Sequence, residues 1–183
     1  MGREDALDHA VAAMQGGDEA AFRHVYRAVQ PPLLRYLTVL VGAADAEDVA
    51  SEAWAQAFRD LDRFTGDADG FRGWITTIAR NRALDHLRQA RRRPTLDAPV
   101  EEMVDLHDRA DVEADTLGRV QSEAAIALIA SLPPDQAEAV MLRTVLGFDA
   151  PTAARILGKR PGAVRVAAHR GLRALERKLS AEV

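Results

Sequence analysis

Between Pro94 and about Gly118 the helical spacing of apolar residues that runs through the rest of the chain stops. This stretch carries Pro94 and Pro99, and residues 94–121 hold eight acids against Arg109 and Arg119. Prolines and a net negative run cannot supply a packed helix face, so the segment reads as an extended acidic linker, with a short helix near Val112–Leu117. A chain interrupted in this way builds two cores. The expected architecture is therefore all-α, with two small helical domains at residues 1–93 and 122–183 joined by the linker at 94–121. The composition agrees: aromatic residues are only 5% of the 183, while Ala, Leu and Arg dominate, and these lose little freedom in a helix.

Punctuation residues set the expected helices. Ala6–Met14 reads as a first helix ended by Gly16-Gly17. Asp18 caps a second, with Ala21, Phe22, Val25 and Val29 on one face. Pro31-Pro32 is expected to open a third, carrying Leu33, Leu34, Leu37 and Leu40 and stopped by Gly42. Asp45 is expected to cap a long helix to about Leu61, with Val49, Ala53, Trp54, Ala57, Phe58 and Leu61 at helical spacing. Asp45, Asp48 and Glu52 fall at i, i+3 and i+7, so three carboxylates share a face. A loop is expected over Asp62–Gly70, then a helix from about Phe71 to Arg91, with Trp74, Ile75, Ile78, Leu84 and Leu87 available to the core. Beyond the linker, periodicity runs from Val120 to Ser131, and Pro133-Pro134-Asp135 opens a helix ending near Gly147.

Charge is sorted into blocks. Residues 1–70 are net −7; residues 71–93 carry Arg72, Arg80, Arg82, Arg88, Arg91, Arg92 and Arg93 against Asp85; residues 155–178 hold eight bases against Glu176. The whole chain is net −4, so it is not a uniformly basic nucleic-acid binder. Two basic blocks separated by an acidic one are instead the footprint of two contacts with a polyanion, where neutralised phosphates release counterions. The two basic helices are expected to stand apart with their arginines turned to solvent.

The second block lies in a recognisable motif. Asp149 can cap a helix ending at Gly158, Gly158 suits a left-handed turn, and Pro161 can open a helix to about Leu179. Ala154 is small where two helices must cross, and Ile156, Leu157, Val164 and Ala168 can share a core. This is a helix-turn-helix, whose second helix enters the major groove. If Val164, Ala168, Leu172, Leu175 and Leu179 face inward, then Arg160, Arg165, His169, Arg170 and Arg173 lie on or beside the outer face, where arginine can fork onto guanine or phosphate.

Other functions find little in the sequence. With no cysteine, disulfides, thiolate metal sites and a cysteine nucleophile are excluded, which fits a cytosolic protein. The first residues carry acids early and do not read as a secretory signal, and no run is long enough to span a bilayer. The histidines are scattered, and metalloprotease, phosphate-loop and nucleophile-elbow motifs are missing, so no catalytic residue, metal or cofactor is expected. A stand-alone helix-turn-helix regulator, binding duplex DNA as a dimer, is the nearest rival. It leaves the acidic helix face and the first arginine block without a role.

Four stretches together resemble the extracytoplasmic-function branch of the sigma-70 family, over about Asp18 to Leu179. GDEAAFRHVYR resembles the family's opening helix. DAEDVASEAWAQAF resembles region 2.2, which implies that Asp45, Asp48 and Glu52 meet the clamp helices of the polymerase β′ subunit. FRGWITTIARNRALDHLRQARRR resembles regions 2.3 and 2.4, which implies minus-10 recognition by Arg72, Arg80, Asn81, Arg88, Arg91 and Arg92. SLPPDQAEAVMLRTVLGFDAPTAARILGKRPGAVRVAAHRGLRAL resembles region 4, which implies minus-35 recognition by Lys159, Arg160, Arg165, His169, Arg170 and Arg173. The resemblance further implies a sigma factor that carries RNA polymerase core (β′ and β) to promoter DNA and is held inactive by an anti-sigma factor. It also implies capture of a flipped minus-10 base at the Asp62–Gly70 loop and a linker that threads toward the polymerase active site. The chain departs from many relatives at Thr152, where they carry Glu, and at Val166 and Ala167, where they carry a Ser-Arg pair. One minus-35 contact is thereby lost. The chain ends at Val183, with no further C-terminal domain expected.

Overall fold

A computed structural model describes residues 3–92 and 116–181. Among the described residues there are eight α-helices and no strand. In chain order they are α1 (Arg3–Gln15), α2 (Glu19–Val41), α3 (Ala43–Arg59), α4 (Ala68–Arg92), α5 (Thr116–Ala130), α6 (Pro134–Val140), α7 (Ala150–Leu157) and α8 (Pro161–Ala181). A 3₁₀ turn at Leu61–Arg63 links α3 to α4, and a π-helical turn at Met141–Val145 extends α6. Most of the expected linker lies outside the described residues. Its last part does not: α5 opens at Thr116, earlier than the return of apolar spacing indicated.

The caps follow local chemistry. Asp18 Oδ1 accepts from the amides of Ala20 (2.8 Å) and Ala21 (3.1 Å), satisfying two orphan donors of α2. Two expectations fail. Pro31 and Pro32 do not open a helix but sit inside the 23-residue α2. Their missing N–H groups orphan the carbonyls of Arg27 and Ala28, which lie on the exposed side where water can serve them. Burial of Val25, Val29, Leu33 and Leu37 on the other side keeps the helix in one piece. Asp45 is not a cap either: α3 begins after Gly42, and Asp45 sits in its first turn.

Helices α1–α4 enclose a first core of Val11, Val25, Leu33, Leu37, Val49, Trp54, Phe71, Ile75 and Ile78. Of the five α4 residues offered to it, Ile75 and Ile78 are buried, while Trp74, Leu84 and Leu87 are half-buried. Phe58 does not join it: the ring is 64% exposed and stacks edge-on with Phe22, centroids 5.8 Å apart. Helices α5–α8 build a second core of Ile129, Leu132, Val140, Met141, Leu142, Phe148, Ile156, Leu157 and Val164.

The inner stripe of α8 also differs from expectation. Val164, Ala168 and Gly171 are buried and Leu175 is half-buried, but Leu172 and Leu179 are 46% and 54% exposed. The contact runs through Gly171 because α6 crosses there: a Cβ on Gly171 would lie 2.6 Å from Val140 Cγ2 and 3.3 Å from the Gln136 carbonyl oxygen. Leu172, one residue and about 100° further round, is turned away from that crossing.

The two halves do not stand apart. Tyr36, from the last third of α2, is fully buried in the second core, and Val39 and Leu40 pack beside it. Helix α2 thus serves both cores, with Leu33 and Leu37 facing one and Tyr36 facing the other.

Candidate nucleic-acid interface

The helix-turn-helix forms as its residues require. Asp149 Oδ1 accepts from the Thr152 amide at 2.8 Å, capping α7, and this bond holds the Asp149 carboxyl below its ordinary 3.8. Gly158 ends α7 in the left-handed region (φ 63°, ψ 35°), a conformation that costs a side-chain-bearing residue roughly 1 kcal/mol. Ala154, Ile156, Leu157, Val164 and Ala168 are all buried in one core. With Val164 and Ala168 facing inward, Arg160, Arg165, His169, Arg170 and Arg173 are exposed on the remaining surface of α8. Two of the expected cations have local partners. Lys159 pairs with Asp135 at 2.7 Å, which ties the turn to the start of α6, and Arg173 pairs with Glu176 at 3.2 Å along α8. Both acids are well exposed, so these pairs yield readily to a phosphate.

On α4 the expected residues divide. Asn81, Arg88, Arg91 and Arg92 are exposed, with Arg88 paired to Asp85 one turn away. Arg72 and Arg80 are instead turned inward across the seam between the halves, contrary to the solvent-facing placement expected of them. Arg80 Nε donates to Glu138 Oε2 at 2.7 Å, and the buried Tyr36 hydroxyl donates to the same oxygen at 2.9 Å. Arg72 donates to the Leu146 carbonyl oxygen and lies over the Phe148 ring, 5.2 Å from its centroid. The hydrogen bond to Glu138 holds the Arg80 guanidinium more firmly charged, and burial with the nearby Glu138 charge pushes the Tyr36 hydroxyl well above its ordinary range. Sequence reasoning missed Tyr36 and Glu138. The available signal was a lone carboxylate inside the apolar run Ala137–Leu142.

The acidic face is partly as expected. Asp48 and Glu52 are exposed, but Asp45 is half-buried and lies 3.0 Å from His86 Nε2, which ties α3 to α4. The expected loop before α4 is shorter than read. Phe64 is buried, Asp8 Oδ1 accepts from the Ala68 amide at 2.8 Å, and α4 starts at Ala68. Asp67, Asp69 and Arg72 there line an open groove of about 720 Å³, closed on its far side by Phe148 and Thr152 of the second half.

An all-α molecule with a helix-turn-helix at one end and a second basic helix has the overall plan of a nucleic-acid-binding protein. Comparison with known proteins makes this specific. Residues 25–93 match the family model for sigma-70 region 2, and residues 122–175 match that for sigma-70 region 4. The chain is 31% identical to the ECF RNA polymerase sigma factor SigD of Mycobacterium tuberculosis, covering 97% of this chain and 85% of SigD. It is 33% identical to the ECF RNA polymerase sigma factor BldN of Streptomyces coelicolor, covering 92% of this chain but 64% of BldN, so it spans just under two thirds of that relative. Among solved structures, the sigma factor RpoE in complex with the anti-sigma factor NepR from Bartonella quintana shares the fold, with a TM-score of 0.66 at 23% identity, over 88% of this chain and 98% of that one. The chain belongs to the extracytoplasmic-function sigma factors of the sigma-70 family.

Proposed function

We propose that this sigma factor brings RNA polymerase core to promoters through three surfaces. Asp48 and Glu52, with Asp45 behind them, face the basic clamp region of β′; the exposed side of α4, from Asn81 to Arg92 together with Arg72 and Arg80, takes the minus-10 strand; and α8 takes the minus-35 duplex through Lys159, Arg160, Arg165, His169, Arg170 and Arg173. In this reading residues 1–93 and 122–183 are the two working units and 94–121 is the strap between them. The protein acts by binding rather than by catalysis, in the cytoplasm. The observation that carries the reading is the presentation of α8: its small and apolar side is buried beyond a left-handed glycine turn, and its cations are left outward.

Regulation by an anti-sigma factor belongs to the same reading. The similar Bartonella protein was solved with one, and a partner that covers the polymerase-facing carboxylates would silence this chain as well. The test is run-off transcription with purified core polymerase and genomic fragments. Promoter-specific product that is lost when the minus-35 element is scrambled supports the reading, and the same product from intact and scrambled templates refutes the role of α8.

A further inference from the structure

One face of the first half carries aromatic and basic residues that the three proposed surfaces leave unused. Tyr26 and Phe58 are the exposed aromatic residues among those described, at 38% and 64%. They belong to one cluster with Phe22 and Trp54. Between ring centroids, Phe22 lies 5.8 Å from Phe58 and 6.1 Å from Tyr26, and Tyr26 lies 4.9 Å from Trp54. Trp54 Nε1 donates to Gln30 Oε1 at 2.7 Å, which fixes the inner ring. These ring contacts also set an antiparallel register, with Phe22 beside Phe58 and Tyr26 beside Trp54. The helical step of about 100° carries Arg23 and Arg27 further round α2 than Phe22 and Tyr26, on the side away from α3. Asp48, Glu52 and Arg59 lie beyond Phe58 on α3 in the same way. The face thus has an aromatic centre, one edge of Glu19, Arg23 and Arg27, and an opposite edge of Arg59, Glu52 and Asp48, all six exposed. In the antiparallel register Glu19 stands level with Arg59, and Arg27 with Glu52. Arg23 approaches Glu19 only to 3.8 Å, and both side chains are largely in solvent, so the pair yields readily to a new partner.

We propose that this face pairs with the same face of a second copy of the chain, about a two-fold axis running along α2 and α3. Such an axis lays the α2 edge of each copy over the α3 edge of the other without sliding them along the helices. Each Arg27 then meets a Glu52, each Glu19 meets an Arg59, and the aromatic centre is covered by its own counterpart. Charge favours a second copy over other occupants. A basic partner matches the carboxylates but repels Arg23 and Arg27, and an acidic partner does the reverse; a copy of the face satisfies both edges. Aromatic and arginine side chains are also the ones that protein interfaces concentrate. A four-ring patch with a charged rim is smaller than a permanent dimer needs, so the pair is transient, with a dissociation constant on the order of 10 µM. Asp48 and Glu52 belong as well to the surface proposed for polymerase, so pairing and polymerase binding exclude each other; that consequence alone rests on the polymerase assignment.

Sedimentation equilibrium on the full-length chain tests this. Between about 1 and about 100 µM the mean mass should climb from that of a monomer toward twice that value. Arg27→Glu and Glu52→Arg should each weaken association by about tenfold or more, because each brings like charges together at two symmetric places. An equimolar mixture of these two variants should regain wild-type association, since in the mixed pair both crossings again join opposite charges. Phe58→Ser should abolish it, with circular dichroism melts showing that the exposed substitution leaves the fold intact. Glu123→Arg, the same charge change on the exposed side of α5, should leave it unchanged. A monomer mass at every concentration, association that survives Phe58→Ser or both reversals, or a mixture no better than its components each overturns the pair. A wild type that stays monomeric while Phe58→Ser weakens its binding to core polymerase gives the face to polymerase and likewise overturns the pair. If the pair behaves as described while polymerase binding ignores Glu52→Arg, the polymerase assignment of that edge fails and the pair stands.

Discussion

Arg165 and Asp149 show how differently two polar residues of one motif can act. Arg165 is exposed on α8, on the surface proposed to meet the minus-35 duplex. Arg165→Ala should lower transcription from a template with an intact minus-35 element by about tenfold and leave a minus-35-scrambled template unchanged, as run-off assays would show. Asp149 works within the fold. Its carboxylate bonds the Thr152 amide, so its folded pKa is below the ordinary 3.8. A depressed acid contributes stability above its unfolded pKa and loses it as pH falls through the folded value. Thermal melts of wild type and Asp149→Ala should therefore differ at neutral pH, with the wild type higher by a few degrees, and converge as the pH drops below about 3.8.

The α6–α8 crossing belongs to the scale of elements. Gly171 lies where α8 meets α6, and the nearest obstacle to a Cβ there is the branched side chain of Val140, itself 1% exposed. An alanine gains helix propensity of about 1 kcal/mol, but pressing a methyl into so tight a contact costs about 1–3 kcal/mol, so the clash prevails or breaks even. Gly171→Ala should destabilise the protein by up to about 2 kcal/mol in denaturant melts, and Val140→Ala combined with it should recover part of that loss. A gain in stability from the single substitution would show that the crossing is looser than its geometry. The same crossing explains why the inner stripe of α8 was misread. Spacing alone cannot tell a leucine-lined face from one that meets its neighbour through glycine, because the contact is made by the partner's side chain.

For the whole molecule, the seam sets how the two halves dock. It joins residues 58 and 102 positions apart, Arg80 and Tyr36 each with Glu138. A buried ion pair of this kind adds little net stability over apolar packing, since desolvation offsets the attraction, but it defines one docking geometry and penalises others. Tyr36 adds a pH dependence. Burial chiefly, and then the Glu138 charge, raise its pKa, while Arg80 opposes the rise. A group with a raised folded pKa contributes fully below its unfolded value of 10.0 and loses that contribution as pH climbs through the folded one. Small-angle scattering should show the molecule expanding above about pH 10, and Tyr36→Phe should flatten that response while weakening the seam at neutral pH by about 1 kcal/mol.

Helices, caps and the helix-turn-helix were legible from residues a turn apart. Asp18, Asp149, Gly158 and Pro161 act on their immediate neighbours, and apolar spacing of three and four is set by the helix itself. Family membership was legible for a related reason: the motifs that carry it are short and occur in order. The continuity of α2 through Pro31-Pro32 depended on tertiary structure, because burial on one side had to outweigh two missing hydrogen bonds. So did the turning of Arg72 and Arg80 away from solvent, since an arginine's partner is whichever acceptor the fold brings within reach, and Glu138 and Leu146 arrive from the other half of the chain.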